Sequence, residues 1–213
     1  MSNLDILLDL AFRLPPLLAS VDMIVNSTSC NHPADAILNK HLASLEQALL
    51  AWLETFRQRG LSARPSSDGI EIDHLQSLKA SNATSSDTLF GLSCEMLCRV
   101  CLLLISRGHL QLDQHDSTSR LDDHHHHGVA IERAEQLRQT TIGLAEIAER
   151  PVCRALALRA PLHFLDDWYR AAEDLSGLKW CLELRNSVQK KAPYLNWNAV
   201  LPWSLISLVK VPV

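Results

Sequence analysis

Glycine is scarce in this chain, with seven in 213 residues, and β-branched residues are sparse. A β-rich fold needs turn glycines and Val-, Ile- and Thr-rich strands, so the shortage excludes it. Basic charge is not in excess: 20 Lys and Arg face 24 Asp and Glu, for a net charge of −4 with His neutral. That balance gives no clustered positive surface of the kind that grips phosphates. No unbroken apolar run exceeds six residues, as in VCLLLI (100–105). Such a run is far short of the roughly 20 residues that cross a bilayer. The N-terminus, MSNLDILLDLAFRL, lacks a basic leader and carries Asp5 and Asp9 inside its apolar segment, so the signal-peptide pattern is absent. These features predict a soluble, intracellular protein whose six cysteines are thiols. Phosphate-binding, dinucleotide-binding, zinc-protease and serine-hydrolase motifs are all missing.

Leu, Ala, Glu, Gln and Arg, all good helix formers, dominate the sequence. The clearest helix spans 34–58. There Leu38, Leu42, Leu45, Leu49, Trp52 and Phe56 fall in a stripe about 80° wide, opposite Lys40, Gln47 and Glu54. A second helix, 88–107, is apolar nearly all round, with Thr88, Glu95, Arg99 and Ser106 on one narrow polar strip; it belongs at the centre of a domain. Further helices are expected at 129–149, at 151–172 with Pro151 in its first turn, and at 174–190 with Asp174 as N-cap. The segment 3–25 also reads as helical, interrupted at Pro15-Pro16. The predicted fold is all-α: one domain, 1–213, of paired antiparallel helices with two long polar loops at about 60–87 and 108–128.

Four constellations invite a chemical reading, and each has a simpler one. Cys94, Cys98 and Cys101 lie at i, i+4 and i+7 on the apolar helix; structural zinc prefers loop knuckles, so core packing is expected. His124–His127 are four consecutive imidazoles that point in different directions and cannot form one tetrahedral site; a solvated loop is expected. His163 and Asp167 could orient a base, but no nucleophile is recognisable nearby, so a surface helix pair is expected. DDWYR (166–170) opens like a magnesium-binding acidic motif but has Arg170 where a further acid is needed. No catalytic, cofactor-binding or metal-ligating residue is therefore assigned, no cofactor is expected, and the chain is read as a non-enzyme.

The segment RAPLHFLDDWYRAAEDLSGLKWCLELRNSVQKKAPYLNWNAVLPWSL (159–205) resembles the C-terminal end of the fungal-specific transcription factor domain, the regulatory part of fungal zinc-cluster transcription factors. The resemblance rests on Trp168-Tyr169, on Asp174 with Gly177, on Trp180-Cys181, on Tyr194-Leu195 with Trp197, and on Leu201-Pro202-Trp203. FRLPPLLASVD (12–22) is similar to a segment that opens the late part of that domain. The family's six-cysteine zinc cluster is absent: Cys98 and Cys101 have Cys-x-x-Cys spacing but sit in an apolar helix. The resemblance implies a nuclear regulatory domain (the cytoplasm is the alternative). It would act through other regulatory proteins or a co-regulator, as a monomer or dimer, with no direct sequence-specific DNA binding and no membrane. In filamentous fungi such proteins control biosynthetic gene clusters. The alternative reading is an all-α enzyme or small-molecule-binding protein with an apolar pocket. The Trp-rich end is expected to be architectural, with aromatic rings locking the last helices onto the core.

Overall fold

The computed structural model describes residues 2–27, 33–62, 85–115, 123–148 and 151–193. They form six α-helices and, among the described residues, no strand: α1 Asn3–Val25, α2 Pro33–Ser62, α3 Ser85–His115, α4 Asp123–Ile147, α5 Pro151–Ala171 and α6 Leu175–Lys191. The all-α expectation holds. α3 lies at the centre, packed by α1, α2, α4 and α5, while α6 packs on α5. Leu89–His115 of α3 is long and apolar enough to cross a membrane by length and composition alone. Here that length is covered by helices, and Leu92, Cys98, Leu102 and Ile105 are almost completely buried.

The stripe read from α2 is the face that packs: Leu38, Leu42, Leu45, Leu49 and Trp52 are buried, Phe56 is half-buried, and Lys40, Gln47 and Glu54 are exposed. Trp52 stacks on Phe56 at 4.8 Å, and its indole N–H donates to the Asn3 carbonyl at 2.8 Å. That bond ties the first turn of α1 to α2. The same turn is fixed by a capping box, in which the Ser2 hydroxyl accepts from the Asp5 amide and the Asp5 carboxylate accepts from the Ser2 amide.

Three expectations change. α1 runs unbroken through Pro15-Pro16. Both prolines are exposed, so water can take up the carbonyls they free while Leu14 and Leu18 stay anchored in the core. Second, the loop expected at 108–128 is mostly helix: residues 108–115 complete α3 and 123–128 open α4. Gly108 is a packing position here, since a Cβ on it would lie 3.3 Å from Leu42 and 3.5 Å from Leu18. Leu110 and Leu112 beyond it are buried. Third, residues 60–62 and 85–87 of the other expected loop are also helical. The remainders, 63–84 and 116–122, lie outside the described residues, as do Tyr194-Leu195, Trp197 and Leu201-Pro202-Trp203.

The α5–α6 corner gives physical content to the Trp168–Cys181 motif. The Asp174 amide donates to the Tyr169 carbonyl and the Glu173 amide to the Arg170 carbonyl, with Glu173 in the left-handed region at φ 54°. This is the hydrogen-bond pattern of a Schellman stop, with Glu where glycine is usual. Asp174 then caps α6, accepting from the Gly177 amide at 3.0 Å. Gly177 lies flat against the Tyr169 ring: a Cβ there would come within 2.5 Å of ring carbons. Arg138 of α4 sits 5.0 Å above the Trp180 ring, a cation–π contact that joins α6 to the body.

Candidate functional site

The polar strip of α3 faces inward, onto α2 and α4. Glu95, Arg99 and Ser106 are all buried. Glu95 accepts from Arg57 of α2 at 2.7 Å and from two nitrogens of Arg99 at 2.8 and 3.1 Å. Arg99 also donates to Gln136 of α4 at 2.8 Å. Burial alone would push the Glu95 carboxyl up; Arg99 and Arg57 outweigh it and hold the group below its ordinary value.

Two turns further along α3 a second cluster repeats the design. Arg133 of α4 donates to the Leu102 carbonyl at 3.1 Å, to the Ser106 hydroxyl at 2.5 Å and to Glu46 of α2. Glu46 also faces His109, whose Nε2 lies 3.4 Å from its carboxylate, while His109 Nδ1 contacts Asn39. The contact from His109 is the main cause that drives the Glu46 carboxyl down to about 2, with Arg133 adding to it against the effect of burial. His126 of α4 sets its ring edge-on to His109 at 5.1 Å and lies 3.1 Å from Asp113. Together the two clusters make a polar seam along the α2–α3–α4 interface.

Chemically, the seam is a set of matched charges. Each carboxylate in it is held by at least one cation or imidazole from another helix. Such an arrangement fixes register between helices and disfavours alternative packings. General acid–base work would need a group left facing an open reaction volume.

The expected site residues fall elsewhere. Cys94, Cys98 and Cys101 are buried in the core, and the Cys98 thiol donates to the Leu49 carbonyl at 3.5 Å. Burial pushes Cys98 and Cys101 up to about 12, so both are neutral thiols at physiological pH. Residues 124–127 lie in the first turns of α4, not in a loop; His126 turns inward and His127 outward. His163 and Asp167 lie 3.6 Å apart on the surface of α5. Asp166 of the DDWYR stretch pairs with Arg170 at 3.0 Å and with Arg185 of α6 at 3.9 Å, so this carboxylate serves packing. Among the described residues, no three or more His, Cys, Asp or Glu side chains gather as metal ligands.

Sequence reasoning set Glu95, Arg99 and Ser106 apart as a polar strip and put His126 in a solvated loop; it missed Glu46, His109 and Arg133. A signal was present: Glu46 stands beside the Leu42–Leu45–Leu49 stripe, and Arg133 sits between Ala130, Ala134 and Leu137. A charge at the margin of a packing face needs a partner from across the interface. Comparison with known protein families, curated proteins and solved structures returns no match.

The outer face of α1 is the other distinctive surface. Leu8, Phe12, Pro15, Pro16, Ala19 and Met23 are all exposed. At about 100° per residue they share a band about 100° wide, opposite the buried Leu7, Leu14, Leu18 and Val21. Phe12 is 69% and Met23 70% exposed.

Proposed function

We propose that the chain is a regulatory, interaction-type domain of a fungal transcription regulator. It works in the nucleus through contacts with a co-regulator and has no sequence-selective hold on DNA of its own. The observation that carries this reading is the outward apolar band of α1. An amphipathic helix needs one apolar face, and α1 has two. Large contiguous apolar patches on a folded surface mark places where another macromolecule binds. The interior is consistent with this reading, since Glu95 and Glu46 each pair with an arginine of another helix. The Trp168-Tyr169, Asp174/Gly177 and Trp180-Cys181 correspondences add family resemblance, and the net charge of −4 fits a domain that leaves DNA to a partner.

The test fuses the chain to an unrelated DNA-binding domain and reads a reporter gene in a fungal host. The fusion should change reporter output several-fold. Phe12→Asp with Met23→Asp should abolish the change while leaving the urea midpoint of the purified domain within about 0.3 M of the parent, because both residues are exposed. A reporter that ignores the intact chain overturns the transcriptional reading. A reporter that responds equally to the parent and the double variant overturns the role of α1.

A further inference from the structure

Acids border the apolar band of α1. The helix carries three carboxylates, Asp5, Asp9 and Asp22, against one cation, Arg13. At about 100° per residue, Asp9 and Asp22 stand about 70° to either side of the middle of the band, and Asp5 lies within it at its N-terminal end. Asp5 and Asp9 are exposed and Asp22 is half-buried. Arg13 lies about 110° from the middle, outside this rim. It pairs with Asp9 at 2.5 Å. Burial pushes the Asp22 carboxyl up, and the field of Arg107 offsets this only in part, so a further cation beside Asp22 would be favourable.

The middle of the band adds acceptors. Pro15 and Pro16 have no amide hydrogen, so the carbonyls of Ala11 and Phe12 lose the intrahelical donors they would otherwise have. The Phe12 carbonyl belongs to the band itself. The face thus combines apolar side chains with acceptor oxygens, and α1 places no cation inside the rim. We propose that the outer face of α1 docks an amphipathic helix with a basic rim. The apolar side of that helix meets Leu8, Phe12 and Met23, and its Lys or Arg side chains reach the carboxylates and the freed carbonyls. This rests on the reading of α1 as the contact face for a co-regulator and gives that partner its chemistry.

The dimensions suit a helix and disfavour other occupants. From Leu8 to Met23 the band is about 22 Å long and about 10 Å wide, the footprint of one helix of some four turns. A stable dimer buries about 800 Å² on each partner, several times what such a strip offers. A second copy of this chain would also set one acidic rim against another, and like charges across an interface are costly. An anionic membrane surface meets the same repulsion: helices that lie on membranes carry Lys and Arg beside the apolar face, where α1 carries Asp. A basic amphipathic helix meets neither obstacle.

The test titrates the full chain into two fluorescein-labelled helical peptides of about 18 residues, long enough to hold some helix in water. Both have the same leucine face; one is flanked by Lys and its twin by Glu. The Lys peptide should bind at least about tenfold more tightly at low salt, and the gap should narrow at about 0.5 M NaCl. This comparison needs no variant to fold. Asp9→Asn with Asp22→Asn should shrink the preference. Phe12→Asp with Met23→Asp should weaken the Lys peptide at least about tenfold, although it makes the chain more acidic; non-specific attraction between opposite charges would instead grow. Equal binding of the twins overturns the proposal, and so does a Lys peptide that binds the Phe12→Asp, Met23→Asp chain as well as the parent. Uptake of the parent onto phosphatidylserine vesicles, or self-association that Phe12→Asp abolishes, also overturns it by giving the face another occupant. A failed titration beside a responsive reporter removes the basic helix and leaves the transcriptional reading. A silent reporter beside a sound titration does the reverse.

Discussion

At residue scale, two glycines in helices have opposite roles, and the difference can be measured. Gly128 is exposed in α4, with nothing within 4 Å of where a Cβ would stand. Gly128→Ala should raise stability by up to about 1 kcal/mol through helix propensity alone. Gly177 faces the Tyr169 ring so closely that an added Cβ displaces it, together with the corner it supports. Gly177→Ala should lower stability by about 1–3 kcal/mol, the usual range for overpacking. Urea melts of the two variants read the contrast in sign. The cysteines make a similar residue-level case. Cys98 is fully buried and bonded to the Leu49 carbonyl. Cys98→Ala should therefore lower stability by about 1 kcal/mol. Elemental analysis of untagged protein should give the same metal content before and after the change, because the Cys98 thiol donates to the Leu49 carbonyl and, among the described residues, no three metal-ligating side chains gather around it.

At the scale of elements, the polar seam gives a pH prediction whose sign is fixed. Glu46 is held at about 2, below its ordinary 4.5. A depressed carboxyl contributes stability that is full above about pH 4.5 and is lost as pH falls toward about 2. With discount for solvent screening at a partly exposed group, the contribution is roughly 1–2 kcal/mol. Glu46→Gln should flatten the fall in urea midpoint between pH 4.5 and 2.5, and an undiminished fall would show that other carboxylates carry it. The elements also show what the sequence makes legible. The α2 stripe was readable because its six apolar positions repeat at helical spacing, and Asp174 because capping chemistry is local. The second half of α3 was not readable. His109, Asp113 and His115 resemble loop composition until Glu46, His126 and Asp35 from other helices are placed opposite them. Periodicity reports which face is apolar; it does not report that a polar face is matched across an interface. Pro15-Pro16 misled for a related reason, since their effect depends on which side of α1 meets water.

For the whole molecule, the balance of charge predicts weak interaction with nucleic acid. In a fluorescence titration at physiological salt, the pure 213-residue chain should bind duplex DNA no more tightly than about micromolar and without sequence preference. Nanomolar, selective binding would overturn the division of labour proposed above. The central position of α3 also bears on how the chain reaches this fold. Most of the packing is between helices adjacent in sequence, and the most extensive exception is α1 on α3. Local contacts of this kind favour rapid folding, on the microsecond-to-millisecond scale of helical proteins. During synthesis, however, α1 and α2 leave the ribosome with only each other to cover Leu18, Val21 and Leu42, the side chains that crowd Gly108 in the finished protein. At typical elongation rates, more than fifty further residues take several seconds to follow. The nascent N-terminal half is thus the stage at which this chain most needs a chaperone, and a ribosome stalled after α2 would display an unfinished, adhesive hairpin.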